Sequence, residues 1–497
     1  MNRLKLIKYT VVGVLLFSFA GCNDILEDVA PSTSVEPDVV LSSPDGITGL
    51  RSSMYAKIHQ SFAYRTEYFV APSAFTDETR NRPGSTRYQA LTQAVGTSGT
   101  DHIASWGAHY NIIQDANLII GAVEEGVLPA NTYNQYRGEA LGLRAFAMHN
   151  LVKVYGYNPG MFDMGPESNW DEGVVIRTEP VFTQEDADLR PRSSVNEVYA
   201  QILQDLSDAK DLLSVNDAPN NTFVTEAFID GLRARVHLYA SNWGEAAQAA
   251  QDAITNSGRS LEDTPEGVAD MFDENIGNHP EALFKVVVNP DTESGGPDGG
   301  FNNIGPATYT SDGFLAQLPT QHLVDKYEED DYRMGWYRDC AEAQRIALNQ
   351  PTGCTAVNDG GFSLVKFNGV KGNNVDDLPY MRLAEMYLIW AEAEARDGNN
   401  PAAGLDPLQT LRDARNAGAV PATALTGMPA FEDFILDERM RELALEGHRF
   451  YDLKRMGRDI RNPDGSIKMR ADSYRILPEI GTSLINVNPQ LVENPGY

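Results

Sequence analysis

The chain has 497 residues, enough for one to three domains, and its hydrophobic content of 42% is ordinary for a globular protein. Asp and Glu number 70 against 40 Lys and Arg, a formal net charge of −30. So acidic a surface argues against nucleic acid and anionic membranes as partners, because both need basic patches.

Arg3, Lys5 and Lys8 precede an apolar run from Tyr9 to Ala20. The run is too short to span a bilayer and has the layout of an export signal. Phe19-Ala20-Gly21-Cys22 then looks like the cleavage box of a bacterial lipoprotein, with Phe where Leu is usual. The expected division is a signal peptide over 1–21, a lipidated tether over 22–44 and a single domain over 45–497. Within that domain an N-terminal part, about 45–290, and a C-terminal part, about 291–497, are expected to intertwine. Acyl chains on Cys22, palmitate among them, would anchor the protein rather than span the membrane.

Apolar spacing and caps predict helices over Asp45–Gln60, Asp101–Val123, Asn134–Tyr155, a Ser193- or Ser194-capped stretch to Leu213, Thr225–Ala240 and Trp243–Asn256. Ser61–Thr100 and Met161–Pro191 read as irregular, the first rich in aromatic residues. Ala227–Ala240 and Ala246–Ile254, joined through Ser241–Gly244, resemble a tetratricopeptide helix pair, whose small residues allow close approach. Glu281–Asn289 reads as a strand from its β-branched content. Pro290–Thr310, rich in Gly, Asn and Pro, reads as a long surface loop of the kind that often carries function. Leu315–Tyr327 is predicted helical, and Asp330–Lys366 is expected to mix short strands.

Leu378–Gly398 is predicted to be a buried helix opened by Pro379 and closed by Gly398. Its polar stripe, Arg382, Glu385, Glu392 and Arg396, is expected to form structural ion pairs: Arg382/Glu385 and Glu392/Arg396 are spaced to pair, and Arg382 and Glu385 are expected to tie the helix to Glu438–Arg455. Pro407–Asn416 would pair with it, and Phe431–Met456 reads as one long helix. Cys340 and Cys354 are a natural disulfide in an oxidising compartment, closing a loop of about 15 residues for roughly 3 kcal/mol.

Several stretches together resemble the SusD/RagB family of Bacteroidota outer-membrane lipoproteins. They are Gly21-Cys22-Asn-Asp-Ile-Leu-Glu, Leu143-Arg-Ala-Phe-Ala-Met-His-Asn, Asp331-Tyr-Arg, Arg382-Leu-Ala-Glu-Met-Tyr-Leu-Ile-Trp-Ala-Glu-Ala, Leu411-Arg-Asp-Ala-Arg-Asn and Glu438-Arg-Met-Arg-Glu-Leu-Ala-Leu-Glu-Gly-His-Arg-Phe-Tyr-Asp. Leu477-Pro478-Glu479-Ile480 departs from the family's tail. The resemblance implies a mainly α body, a tetratricopeptide-like helix-pair scaffold with long irregular loops and a few short strands. It also implies a non-enzymatic, surface-exposed lipoprotein that lids a SusC-like TonB-dependent transporter. Such a protein delivers an oligosaccharide to the transporter or, as the alternative, a peptide.

The residues themselves carry no G-x-S-x-G, no H-E-x-x-H, no phosphate-binding glycine loop and no Cys/His cluster. Carboxylate pairs abound, so a surface glycosidase is the competing reading from another class. Sugar binding asks for flat aromatic faces and polar hands. The candidates in irregular segments are Tyr64, Tyr68, Phe75, Trp170, Tyr309, Trp336 and Tyr337, with Arg80, Arg82, Asn302 and Asn303. Trp106 reads as core from its register with Tyr110 and Ile113. No cofactor is expected, though Asp291, Glu293 and Asp298 are a weak candidate set for Ca²⁺.

Overall fold

The computed structural model describes residues 37–60, 63–93, 102–103, 105–183, 186–213, 221–272, 279–288, 309, 315–339, 361–367 and 376–497. Cys22, Asn302, Asn303, Cys340, Cys354 and the Ca²⁺ candidates Asp291, Glu293 and Asp298 lie outside the described residues.

Two helices of the stack begin at a side-chain cap. Ser194 and Glu197 close a reciprocal capping box ahead of helix Val195–Leu212, and Thr225 caps Glu226–Tyr239 through the Phe228 N–H. Trp106–Ala122, Ala130–Tyr155, Val195–Leu212, Glu226–Tyr239, Trp243–Ser257 and Leu383–Asp397 pack in succession, and the last also contacts Leu405–Ala414 and Met428–Glu442. The body is thus the mainly helical stack of pairs that the repeats predict. Ala246, Ala247, Ala249, Ala250 and Ala253 are all buried, which lets Trp243–Ser257 lie close against its neighbours on both sides. No described helix is long and apolar enough to cross a membrane.

The described strands form two-stranded antiparallel ribbons: Thr79–Asn81 with Gln317–Pro319, Ala282–Val286 with Leu378–Arg382, Tyr337–Asp339 with Phe362–Leu364, and Ile460–Arg461 with Ile467–Met469. Leu378–Arg382 therefore corrects the predicted helix start. Pro379 sits opposite Lys285 in a ribbon, where a missing donor is tolerated, and the helix begins only at Leu383. Leu315–Tyr327 is a short strand followed by the turn of helix Gln321–Val324, not one helix. Phe431–Met456 is broken as well. Helix Met428–Glu442 stops, Leu445 and Gly447 take φ of +59° and +81°, and Arg449–Arg455 starts anew.

The charged stripe is buried, but its partners are not all those expected. Arg382 is extended, at φ −129° and ψ 152°, so helical i,i+3 geometry with Glu385 does not apply to it. It donates to Glu446 at 2.7 and 2.8 Å and to Glu442 at 3.0 Å, both within the expected neighbour Glu438–Arg455, while Glu385 accepts from Arg235 at 2.5 and 2.8 Å. Glu392 does accept from Arg396 at 3.1 Å, and more closely from Arg455 at 2.5 and 2.7 Å. In the acidic run, expected to be a solvated turn, Asp331 is instead buried and holds Arg333.

Candidate functional site

Most aromatic candidates are not at the surface. Tyr64, Phe75, Tyr309 and Trp336 are fully buried and Tyr68 is 7% exposed. Their polar atoms explain why: each hydroxyl or indole N–H finds a partner inside. The Tyr64 hydroxyl meets His109 Nδ1 at 2.6 Å, Tyr68 donates to the Tyr380 carbonyl at 3.3 Å, Tyr309 to the Phe69 carbonyl at 3.1 Å and Trp336 Nε1 to the Val268 carbonyl at 2.8 Å. Phe75 packs on Phe450 and His102 with ring centroids 5.2 and 4.8 Å apart. Tyr337 is buried too, its hydroxyl 3.0 Å from that of Tyr327. These rings offer no face to a ligand. They form the core beneath the irregular segments. Trp170 is half-buried and stands apart, in the 161–191 segment, with the Arg192 guanidinium 5.9 Å from its ring.

The polar candidates fare differently. Arg80 and Arg82 are half-buried on or beside the ribbon Thr79–Asn81/Gln317–Pro319. Every backbone link here fixes that ribbon. Arg82 N–H donates to the Ala316 carbonyl at 2.8 Å, and Thr320 N–H to the Glu78 carbonyl at 2.9 Å. The Asn81 side chain donates to the Ser85 and Arg87 carbonyls, both at 3.3 Å, and accepts from Gln317 at 2.5 Å and Thr92 at 2.7 Å. The turn 82–87 is thereby held in one shape. Arg82 donates through Nη1 to the Leu315 carbonyl at 3.4 Å, and its Nε has no partner among the described residues. Tyr88, half-buried with φ +60°, follows this turn and packs in part against the main core. In sequence the ribbon's second strand comes directly after the long Gly/Asn/Pro segment. The ribbon thus sets two half-buried guanidinium groups on a rigid base, a chemistry suited to hydroxyl-bearing ligands. The residue pattern points to Arg80 and Arg82 but not to Tyr88, whose exposure depends on a positive φ that nothing local announces.

Glu78 lies under the same ribbon. Burial pushes its carboxyl up to about 7, against hydrogen bonding from Ser73 and the pull of Arg449, and one carboxyl oxygen has no partner among the described residues. Its neighbour Asp77 behaves oppositely. Burial would raise it, but Arg449, donating at 3.0 and 3.1 Å, holds it well below the usual carboxylate range. Between the ordinary Glu value near 4.3 and about 7, the folded chain keeps a proton that the unfolded chain has lost. Glu78 therefore favours folding below that window and disfavours it as pH rises through it. Glu78→Gln is expected to raise the melting temperature at pH 8 and leave it near wild type at pH 5. Equal shifts at both pH values would contradict the assignment. The buried amines of Lys366, Lys454 and Lys468, lowered by burial to about 8, 7 and 8, act with the opposite sign and are common to both proteins.

Trp106, expected in the core, is half-buried and lines an open groove of about 330 Å³ with Tyr110, Ile113, Leu484 and Val487. The rings of Trp106 and Tyr110 lie 5.4 Å apart. The groove's amides are committed elsewhere. Gln114 exchanges hydrogen bonds with Val181 at 2.6 and 3.1 Å, and Asn117 donates to the Arg177 and Glu179 carbonyls at 3.2 and 3.1 Å. The groove therefore presents mainly the Trp106 and Tyr110 rings and little free polar capacity.

The pair Glu446–His448, an acid/base look-alike in sequence, is structural. Glu446 is held by Arg382 and by Lys366 at 2.5 Å, and burial drives His448 well below its ordinary value.

Comparison with known proteins agrees with this architecture. A family model described as "Starch-binding associating with outer membrane" matches residues 26–238, and one described as "SusD family" matches residues 341–497. SusD-like protein P38 of Formosa agariphila is 25% identical, with 100% of both chains covered. A SusD superfamily protein of Bacteroides thetaiotaomicron superposes with a TM-score of 0.73 at 22% identity, over 91% of this chain and 100% of that one. A laminarin binding SusD-like protein superposes with a TM-score of 0.70 at 19% identity, over 92% and 100% of the two chains. With two SusD-type models matching either end, a full-length SusD-like relative and the shared helical fold, the chain belongs to the SusD/RagB family.

Proposed function

We propose that the protein is a carbohydrate-binding lipoprotein of the outer membrane, anchored through Cys22 and facing outward. It captures an oligosaccharide at the Thr79–Asn81/Gln317–Pro319 ribbon and passes it to a SusC-like TonB-dependent transporter. The family supports this reading: one matching model is described as starch-binding and outer-membrane-associated, and one structural neighbour is a laminarin binder. The observation that supports the site is the rigid ribbon itself, with the half-buried Arg80 and Arg82 on or beside it and the half-buried Tyr88 just after its turn. Binding is favoured over hydrolysis because the buried carboxylates Glu281, Glu438, Glu442 and Glu446 are each committed to guanidinium groups. A glycosidase needs one carboxylic acid and one carboxylate facing substrate.

Calorimetry with starch and laminarin oligosaccharides and a peptide panel tests this. Arg82→Ala and Tyr88→Ala are each expected to weaken glycan binding about tenfold, the scale of one or two good contacts. Full-affinity binding by both variants would move the site elsewhere. Binding of peptides alone would change the cargo, and shortened glycan products would make the protein an enzyme.

A further inference from the structure

A second concavity of about 510 Å³ opens at the other end of the same ribbon. Its back wall is the Asp77–Arg449 pair, both groups almost fully buried, with His322 Nε2 3.5 Å from the Asp77 Oδ2 that also accepts from Arg449. The pair is bidentate, so the wall is rigid before any ligand arrives. Asp77 stands two residues before Thr79, and His322 three after Pro319, which places this cleft at the far end of the ribbon from Arg82.

The rim alternates in charge. Asp433 pairs with Arg458 at 3.0 Å, Asp437 with Lys326 at 2.9 Å, and Asp459 with Arg461 at 3.7 Å. Leu436 and Leu453 add an apolar patch to the lining. Three features of this wall select a ligand class. Carboxylates accept from hydroxyls and guanidinium groups donate to them, so a vicinal diol can satisfy both at once. Alternation of sign gives no net field to attract an ion of either charge. An apolar patch among polar groups suits the carbon face of a sugar ring. Asp433 is 70% exposed, so its outer edge is open to solvent.

From this we infer that the cleft is a second saccharide subsite, which takes a further stretch of the glycan held at Arg82 and Tyr88. The inference rests on the carbohydrate-binding reading above and extends it by a chain-length rule. Short glycans fill one end of the ribbon, and longer ones gain contacts in the cleft.

Titration calorimetry of the wild type and of an Asp433→Ala/Asp437→Ala double variant, with laminarin-derived di- and hexasaccharides, tests it. Both residues lie at the rim, so unchanged thermal unfolding of the variant serves as the fold control, and Asp433→Asn alone is the milder substitute. The expected result is unchanged disaccharide affinity and a hexasaccharide affinity about tenfold weaker than wild type. Equal hexasaccharide affinity in wild type and variant overturns the subsite and leaves the carbohydrate reading standing. A wild type that binds no glycan of either length overturns that reading, and the subsite with it.

Discussion

Glu442→Ala is expected to remove most of the protein's margin of stability, costing roughly 3–5 kcal/mol against a typical margin of about 5–15. The reason lies in how many buried charges share this one carboxylate. Its two oxygens accept from Arg382 at 3.0 Å, from Arg415 at 3.0 and 3.1 Å and from Arg333 at 3.1 Å, and its side chain is wholly buried. Burial alone would raise its pKa. Arg415, Arg382 and Arg333 together hold it well below the ordinary range, so it stays charged at any working pH. Each guanidinium comes from a different element: the Tyr332–Trp336 turn, the end of strand Leu378–Arg382, and the residue just after helix Leu405–Ala414. Removing the carboxylate leaves those charges buried with fewer partners, which costs more than the pair contributes when intact. Arg470→Ala, which breaks an ion pair that is 67% and 58% exposed, is the control and is expected to leave the midpoint close to wild type. Denaturant midpoints for both variants decide the matter. A Glu442→Ala midpoint no lower than that of Arg470→Ala would show that the network is not what ties these elements together.

What the sequence made legible, and what it did not, divides along physical lines. Ala130–Tyr155 and Glu226–Tyr239 were readable because apolar spacing reports a helix's buried face directly. The charged stripe was readable as ion pairs, since charges on a buried helix must be neutralised, and so was the tie from Arg382 to Glu438–Arg455, but a pair between Arg382 and Glu385 does not form. Arg382 chose Glu446, 64 positions away, because the backbone before Leu383 is extended. The aromatic rings misled for a related reason. Composition cannot separate a Tyr whose hydroxyl reaches a buried carbonyl, as Tyr309 does to Phe69, from one that waits for a ligand. Arg80 and Arg82, named from the sequence as polar candidates, stand half-buried on or beside the ribbon. Pro379 misled because a proline fits equally at a helix start and in a two-stranded ribbon.

Gly447→Ala is the other substitution expected to act strongly, and it tests why the predicted long helix is broken. Gly447 sits at φ +81°, and a Cβ there would lie 1.8 Å from the Tyr68 carbonyl oxygen and 2.9 Å from its carbon. The conformation alone costs an alanine roughly 1–2 kcal/mol. The contact adds ~1–3 kcal/mol or more, because it is with backbone rather than a side chain that can rotate away. Nor can Tyr68 retreat: its hydroxyl donates to Tyr380 and accepts from Arg235 at 3.2 Å, and its ring lies under Lys153 at 4.6 Å. Gly465→Ala isolates the conformational part, since Gly465 has φ +83° and nothing within 4 Å of the added carbon. In matched denaturation curves Gly447→Ala should fall well below Gly465→Ala. If the two fall together, close backbone approach is not the cause of the break, and the chain could have run on as a helix. The break matters because it redirects the chain after Gly447. Arg449 can then reach Asp77 at 3.0 Å and Arg455 can reach Glu392 at 2.5 Å, so the turn at Gly447 joins the helical stack to the ribbon that carries the candidate site.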